Sequence, residues 1–140
     1  IWIIYNMGGP IKLENLDKDD LQTVIKSLKS NEAIFMKFTA DWCAPCKTIK
    51  SECDQIVALC SPNIYYVEID VDESIELFSF FKNKKLLKGI PALYLYYGDS
   101  KERDEKWYLP DYSVLGADKG EVHSLFAQLS KYIIIPEEQG

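Results

Sequence analysis

Apolar and polar positions along the chain follow two different periods, which predicts a protein of alternating strands and helices. Mostly apolar stretches at 33–39, 64–70 and 92–97 are typical of buried strands. Between the first two stretches, apolar residues recur every three or four positions over 44–60, which predicts a helix with one buried face. A similar pattern over 74–84 predicts a further helix.

Pairs of acidic residues mark the beginnings of the first and last helices. Asp17 and Asp20 have the spacing of N-cap and N3 residues, ahead of a helix predicted to end near Lys29. Asp118 and Glu121 have the same spacing ahead of the last amphipathic segment. A side chain at an N-cap accepts hydrogen bonds from backbone N–H groups that the helix itself leaves unpaired. These residues therefore predict where the two helices begin.

The order of these elements predicts the fold class. The first predicted element of the domain is a short strand at 11–13. Helices and strands then alternate, which favours parallel strands joined by helices. Two adjacent extended segments near the end, 92–97 and 106–115, favour an antiparallel hairpin. The expected fold class is α/β, with a central mixed β-sheet flanked by helices on both faces.

One domain is expected, because no linker or internal repeat divides the sequence. We place it at 11–135, preceded by an N-terminal extension at 1–10 and followed by a C-terminal tail at 136–140. The apolar start of the extension is too short for an intact signal peptide. It is interpreted either as the end of an upstream segment or as an extra strand, and Gly8-Gly9-Pro10 interrupts regular structure after it.

Charge and composition exclude several function classes. The 140 residues include 16 Lys and Arg against 22 Asp and Glu, a net charge of −6. This balance argues against nucleic-acid binding, which needs a basic face. No stretch approaches the roughly 20 apolar residues that a membrane span needs. Without an intact leader, a cytoplasmic location is expected.

Four cysteines lie within one short stretch, at 43, 46, 53 and 60. A disulfide scaffold would spread its cysteines to join distant loops, so clustering favours a redox or metal site. A zinc ion needs four converging ligands. Thiols seven residues apart on one helix are roughly 10 Å apart, so we expect no metal site. Cys53 and Cys60 lie on the apolar stripe and are interpreted as small buried hydrophobes, with a regulatory thiol as the alternative.

The segment Trp42-Cys43-Ala44-Pro45-Cys46 carries the clearest chemistry, because it joins a buried strand to a helix. Unpaired N–H groups at a helix N-terminus favour an anion, so the pKa of the Cys43 thiol is expected below that of a free thiol. Pro45 suits the first turn, where a missing N–H has no consequence. Cys46 follows one helical turn later, on the apolar face of the helix. It is expected to be shielded there and suited to resolving a mixed disulfide.

Two segments of the chain resemble the thioredoxin family. The segment 38–47 resembles that family's active site and reads FTADWCAPCK. The segment 89–92 resembles its cis-proline loop and reads GIPA, directly before a strand. Gly116, followed by a capped final helix, also matches, and the similarity runs over about 11–133. The resemblance implies a thioredoxin fold.

The same resemblance implies a role for each matching residue. Cys43 would be the attacking thiol and Cys46 the resolving thiol of a redox-active centre. Pro91 would be cis and would face the dithiol, while the backbone of Ile90 pairs with an extended substrate. Trp42 would cover one flank of the dithiol. The implied activity is thiol–disulfide exchange, with protein disulfides as substrates.

The partners and cofactors expected follow from that activity. An external flavoprotein reductase would return the protein to its dithiol form, so that the chain takes part in electron transport. No metal or bound cofactor is expected, and neither is a nucleic-acid partner. A monomer is expected.

Several positions depart from the family's pattern. Ala44-Pro45 separates the cysteines where typical thioredoxins have Gly-Pro. Lys37 stands where that family usually has a buried Asp that helps deprotonate the resolving thiol, and Tyr66 lies near the place of its usual partner Lys. We hypothesise a charge-swapped pair of Lys37 with Glu68 that modulates the dithiol together with Pro45. The alternative is that Lys37 extends to solvent.

A further departure concerns the helix after the cysteines. The helix after the cysteines lacks the family's kinking proline, with Ser51 near that position, so a straighter helix is expected.

Six lysines are expected near the site. They are interpreted either as a surface that steers an acidic partner or as a solvated helix end, and they are Lys82, Lys84, Lys85 and Lys88 together with Lys47 and Lys50.

We therefore predict a protein-disulfide reductase that uses Cys43 and Cys46. Two alternatives stay open at this point. The first is a non-catalytic thioredoxin-like structural or adaptor module, which Lys37 and the segments 72–89 and 98–111, both longer than that family's norm, favour. The second is an oxidase or isomerase of the same fold, which an unstable Cys43–Cys46 disulfide would indicate.

Overall fold

A single mixed β-sheet organises the part of the chain that this computed structural model describes, residues 2–4, 8–100 and 103–133. Its strands are Trp2–Ile4 (β1), Ile11–Glu14 (β2), Ala33–Thr39 (β3), Ile64–Asp70 (β4), Ala92–Tyr97 (β5) and Tyr112–Leu115 (β6). The helices are Lys18–Lys26 (α1), Ala44–Thr48 (α2), Lys50–Leu59 (α3), Ile75–Asn83 (α4) and Lys119–Leu129 (α5), followed by a 3-10 turn at Ser130–Tyr132. The predicted tail 136–140 lies outside the described residues.

The strand order is β1-β2-β4-β3-β5-β6, which confirms the predicted α/β class with a mixed sheet. Strands β2, β4 and β3 are parallel neighbours, whereas β1, β5 and β6 each pair antiparallel. The described residues of the N-terminal extension add an edge strand, in which Trp2 pairs with Glu14 and Ile4 with Lys12. None of the helices described is long and apolar enough to cross a membrane.

Strand β3 is buried on both faces because helices cover the sheet on both sides. Ile34, Met36 and Phe38 belong to a core with residues of α1 and α4. Ala33 and Phe35 alternate with them and belong to a second core with residues of α3 and α5. A strand covered on both faces has a nearly continuous apolar sequence, as observed here.

Aromatic packing joins β3 and β5 to α4 near the end of the sheet where the cysteines lie. The ring of Phe38 is 5.1 Å from Phe81 and 5.8 Å from Tyr94, between centroids. Phe80 stacks on Trp107 at 5.7 Å. The predicted strand 106–115 is therefore wrong in its first half, which turns back to bury Trp107 before β6 begins.

The prediction of one straight helix over 44–60 is also wrong. Helices α2 and α3 are separated at Ile49, whose φ and ψ are −106° and 4°. The Thr48 hydroxyl donates to the Pro45 carbonyl at 2.7 Å, and the Ile49 N–H bonds to the Lys47 carbonyl. The break at Ile49 thus occurs without the proline that often causes one.

The capping box of α1 provides a test of local stability. The Asp17 carboxylate accepts from the Asp20 N–H at 2.7 Å, and the Asp20 carboxylate accepts from the Asp17 N–H at 3.2 Å. We expect Asp17→Ala to lower the free energy of unfolding by about 1 kcal/mol, measured by urea denaturation. Asp19→Ala removes an equal charge from the same turn without touching the cap and is the matched control. Equal losses in the two variants would contradict the capping role.

Candidate active site

Cys43 and Cys46 form a disulfide at the junction of β3 and α2, with their Cα atoms 5.3 Å apart. Cys43 is the N-cap residue of α2, and Pro45 lies in the first turn of that helix. The Cys46 N–H donates to Cys43 Sγ at 3.1 Å. A hydrogen bond from an N–H group favours the charged form of a thiol, so this contact favours a thiolate at Cys43 after reduction.

Burial does not distinguish the two cysteines, contrary to the expectation that Cys46 is the shielded one. Cys43 is 3% exposed and Cys46 is 7% exposed. The loop before β5 covers Cys43, because the Ile90 carbonyl oxygen lies 3.8 Å from Cys43 Sγ. The difference between the two sulfurs in this structure is therefore one of hydrogen bonding rather than of burial.

The loop that covers Cys43 has the backbone expected of it. The Ile90–Pro91 peptide bond is cis. The Pro91 carbonyl accepts from the Gly116 N–H at 3.0 Å, which ties the loop to the end of β6. Gly116 has a φ of 112°, a conformation that other residues rarely adopt. The structure thus brings together the dithiol, the cis-proline loop and the glycine before α5.

Trp42 stands beside the disulfide and is 66% exposed, yet its position is fixed. The indole Nε1–H donates to the Asp72 carboxylate at 2.8 Å. The Asp72 N–H in turn donates to the Asp70 carboxylate at 2.8 Å. Asp72 was not predicted from the sequence. Its position just after β4 could have indicated it, because the carboxyl ends of neighbouring parallel strands meet at one sheet edge.

Lys37 and Glu68 make the ion pair that was hypothesised. They are direct neighbours in the β3–β4 register, with Lys37 Nζ 3.1 Å from Glu68 Oε1. The Lys37 residue is only 6% exposed, so the alternative of extension to solvent is wrong. Tyr66, which lies near the place of the family's usual partner Lys, pairs with Phe35 in the register, and its hydroxyl donates to Glu68 Oε1 at 2.9 Å.

The Glu68 end of this pair is in contact with solvent. The Glu68 side chain is 52% exposed. Together with Tyr66, it lines a groove of about 500 Å³ between β2 and α3, whose rim also carries Lys12 and Lys50. A buried ammonium group needs a carboxylate partner, and this arrangement supplies one without burying the carboxylate completely.

The other two cysteines, Cys53 and Cys60, are buried free thiols. Burial raises the pKa of the Cys53 thiol, although the Lys37 charge acts in the opposite direction. Burial raises the pKa of the Cys60 thiol to about 12. Neither thiol is therefore a nucleophile at neutral pH. Among residues 8–100 and 103–133, no three His, Cys, Asp or Glu side chains converge in a way that could hold a metal ion.

Comparison with known proteins agrees with this geometry. The family model described as Thioredoxin matches residues 12–107. Thioredoxin 1 of Chlorobaculum tepidum is 31% identical over 78 residues, which are 55% of this chain and 73% of that protein. Thioredoxin H8 of Arabidopsis thaliana is 27% identical over 90 residues, which are 64% of this chain and 57% of that protein.

Solved structures show the same fold. The crystal structure of Plasmodium falciparum thioredoxin superposes with a TM-score of 0.64 at 23% identity and covers 94% of both chains. The crystal structure of thioredoxin from Trypanosoma brucei brucei gives a TM-score of 0.61 at 19% identity, over 85% of this chain and 90% of that one. At these identities the comparison concerns the fold alone.

The Lys37–Glu68 pair predicts an asymmetric response to substitution. Glu68→Gln leaves a buried ammonium without its carboxylate and is expected to lower the free energy of unfolding by about 1–3 kcal/mol. Lys37→Met removes the buried charge and keeps the side-chain length, so stability is expected to stay within about 1 kcal/mol of wild type or to rise. Urea denaturation measures both.

Asp54→Asn is the matched control for this comparison. It breaks the ion pair of Lys50 with Asp54, in which both side chains are mostly exposed. Exposed pairs contribute little, so the denaturation midpoint should stay unchanged. A larger loss for Lys37→Met than for Glu68→Gln would contradict the description of a buried charge held by its partner.

The Cys60 thiol predicts a pH dependence. Its pKa of about 12 lies above the ordinary value of 9.0. At pH 9 an unfolded thiol is therefore about half ionised and the folded one only about 0.1% ionised, so alkylation of the folded chain should be slower by about 500-fold. A raised folded-state pKa also means that its contribution to stability is present below pH 9 and is lost as the pH rises toward 12.

Mass spectrometry of the alkylated, pre-reduced protein measures this rate, and unfolded protein in urea provides the control. Labelling of Cys60 at similar rates in the folded and unfolded chains would contradict its burial.

Proposed function

The chain belongs to the thioredoxin family, and from this premise we propose that it reduces protein disulfides through Cys43 and Cys46. Family membership and the CxxC pair support thiol–disulfide oxidoreductase chemistry in general. Beyond this general chemistry, we propose the direction of the reaction, its substrates and its partners. The observation that carries it is the position of Cys43 Sγ, between the Cys46 N–H at 3.1 Å and the Ile90 carbonyl at 3.8 Å.

The reaction proceeds in two exchanges. The Cys43 thiolate attacks one sulfur of the substrate disulfide, forms a mixed disulfide and releases the other substrate sulfur as a thiolate, which takes up a proton. Cys46 then loses its proton and attacks Cys43 Sγ. This step releases the second substrate thiol and leaves the Cys43–Cys46 disulfide. Two electrons and two protons pass to the substrate.

The loop and the tryptophan are proposed to hold the substrate. Ile90 belongs to no strand, and its backbone N–H has no backbone partner among the described residues. It can therefore pair with an extended substrate segment beside Pro91. The exposed ring of Trp42, held by its bond to Asp72, offers an apolar surface at the other flank of the dithiol.

Lys37, Glu68 and Pro45 are proposed to modulate the dithiol rather than to react. Lys37 lies on β3, the strand that leads into the active site. A cation near the dithiol stabilises thiolate, and stabilising the reduced form raises the reduction potential. Removing Lys37 should therefore make the potential more negative. Pro45 holds the first turn of α2 between the two cysteines.

A flavoprotein reductase is proposed to return the disulfide to the dithiol, and a monomer in the cytoplasm is proposed as the working form. The two buried free thiols, Cys53 and Cys60, are compatible with a reducing compartment, where unpaired cysteines persist.

Trapping of a mixed disulfide tests the proposed mechanism. Cys46→Ser should accumulate an adduct with a synthetic peptide that contains one disulfide, visible as a mass increase on Cys43. Cys43→Ser should give no adduct and no reduction. Cys60→Ala removes a thiol outside the site and should reduce the peptide at the wild-type rate. Absence of an adduct from Cys46→Ser would contradict the mechanism and favour an adaptor.

Titration of the full chain in a graded dithiol buffer, followed by mass-spectrometric thiol mapping, tests the direction. Cys43 and Cys46 should convert together in one two-electron step, and the Lys37→Met midpoint should be more negative than that of wild type. A strongly oxidising wild-type midpoint would instead favour the oxidase or isomerase.

A further inference from the structure

Four lysines lie between the last turn of α4 and the cis-proline loop. We refer to Lys82, Lys84, Lys85 and Lys88 as the lysine rim. All four residues are exposed. Residues 82–91 contain no Asp or Glu, although the whole chain has 22 acidic against 16 basic residues. This stretch of the chain therefore carries four positive charges and no negative ones, on a protein that is acidic overall.

The backbone of the lysine rim is held against the core. The side chain of Leu87 is buried in the cluster that contains Phe81 and Tyr94. The Tyr94 hydroxyl donates to the Leu86 carbonyl at 3.0 Å. The rim is thus a fixed surface next to the site rather than a loose loop.

The rim also adjoins the reacting sulfur. Lys88 stands two residues before Ile90, whose carbonyl lies 3.8 Å from Cys43 Sγ. Consecutive residues span at most about 3.6 Å each, so the Cα atoms of Lys88 and Ile90 are within roughly 7 Å. A substrate segment that pairs with Ile90 would therefore extend past Lys88.

Among the described residues, partners are found for two of the four ammonium groups. Lys82 Nζ lies 5.2 Å from one aromatic ring centroid, and Lys84 Nζ lies 5.0 Å from another. The side chains of Lys85 and Lys88 make no ion pair, hydrogen bond or ring contact with the residues that the structure describes. By contrast, the charge of Lys50 is compensated by Asp54 at 2.6 Å, so Lys50 does not extend this surface.

Lys85 also occupies a position that suits glycine better. Its φ is 61°, in the left-handed region. Its N–H donates to the Lys82 carbonyl at 2.9 Å, and the Leu86 N–H donates to the Phe81 carbonyl at 3.0 Å. This is the glycine position of a helix-ending motif. Interaction with the helix dipole explains why cations occur in the last turn of α4. It does not explain why residue 85 carries a side chain, because glycine would adopt this left-handed backbone without strain.

We propose that Lys85 and Lys88 form a docking surface for protein substrates whose disulfide is flanked by acidic residues. The inference rests on the proposed disulfide reduction and assigns it a substrate class. Two uncompensated ammonium groups beside the substrate-pairing loop would attract carboxylates during encounter and raise the association rate. Because both groups are exposed, salt should screen the effect strongly.

Two matched peptides test the proposal. They share one disulfide and one sequence, except that the flanking positions are Glu in one and Gln in the other. The pre-reduced full chain is mixed with each, and the second-order rate constant of reduction is measured. Ionic strengths of about 0.01 M and 0.15 M correspond to Debye lengths of about 30 Å and 8 Å. The ratio of the two rate constants, Glu peptide over Gln peptide, is the readout.

For the wild-type chain we expect a ratio of at least ~10 at low ionic strength, which falls toward 1 at the higher one. The double variant Lys85→Gly with Lys88→Gln should give a ratio near 1 in both buffers. Lys26→Gln is the control. Lys26 lines a groove together with Gly98, which follows the far end of β5 from Pro91. The ratio for this variant should therefore stay at the wild-type value.

The outcomes separate the two proposals. Equal rates for the two peptides with the wild-type chain, or a ratio that survives the double variant, would overturn the docking surface and leave the reductase intact. Failure of the wild-type chain to reduce either peptide would overturn the proposed function, and the docking surface would fall with it.

The single variant Lys85→Gly separates binding from stability. It relieves the left-handed backbone, so its urea midpoint should rise above that of wild type while the rate ratio falls. A lower midpoint would mean that Lys85 serves the end of α4, and the case for Lys85 as a docking residue would be lost.

Discussion

Strand β3 is held between two cores, and the geometry of the candidate site depends on this burial. It lies between β4 and β5, with helices α1 and α4 on one face and α3 and α5 on the other. A strand confined in this way cannot shift without disturbing both cores. The point at which Cys43 leaves the strand and enters α2 is therefore fixed relative to the loop that carries Ile90 and Pro91.

The same confinement governs the charge behind the site. A lysine on β3 cannot reach solvent from the middle of the sheet, so the neighbouring strand has to supply its counter-charge. The β3–β4 register places Glu68 opposite Lys37, at the side of the sheet where a groove admits water. The half-exposed carboxylate can be hydrated without the lysine, whereas the buried ammonium depends on the carboxylate. A lysine at this position of β3 thus requires an acidic residue at the facing position of β4.

Features that depend on nearby residues were predictable from the sequence, and features that join distant residues were predictable only in part. The CxxC junction and the capping box of α1 are local, so spacing alone indicated them. The Trp42–Asp72 bond joins residues thirty positions apart and needs the parallel packing of two strands. The Lys37–Glu68 contact was inferred from the charges and without a strand register, because pairing register is set by the whole sheet. Apolar periodicity does not report the helix break at Ile49, because the buried positions continue from Cys46 of α2 through Ile49 to Cys53 of α3.

The size of the Cys43–Cys46 disulfide loop argues for a chemical rather than a structural role. A disulfide stabilises a protein mainly by restricting its unfolded chain, and the effect grows with loop length. The bridge here spans a sequence separation of 3. A loop that short corresponds to about 2 kcal/mol, against about 3 kcal/mol for a 15-residue loop and about 4.7 kcal/mol for a 100-residue loop. The stabilisation expected of this bond is therefore at the low end of the range for disulfides. A bond of that kind, placed against a loop whose backbone can pair with an incoming strand, is better suited to exchange than to reinforcement.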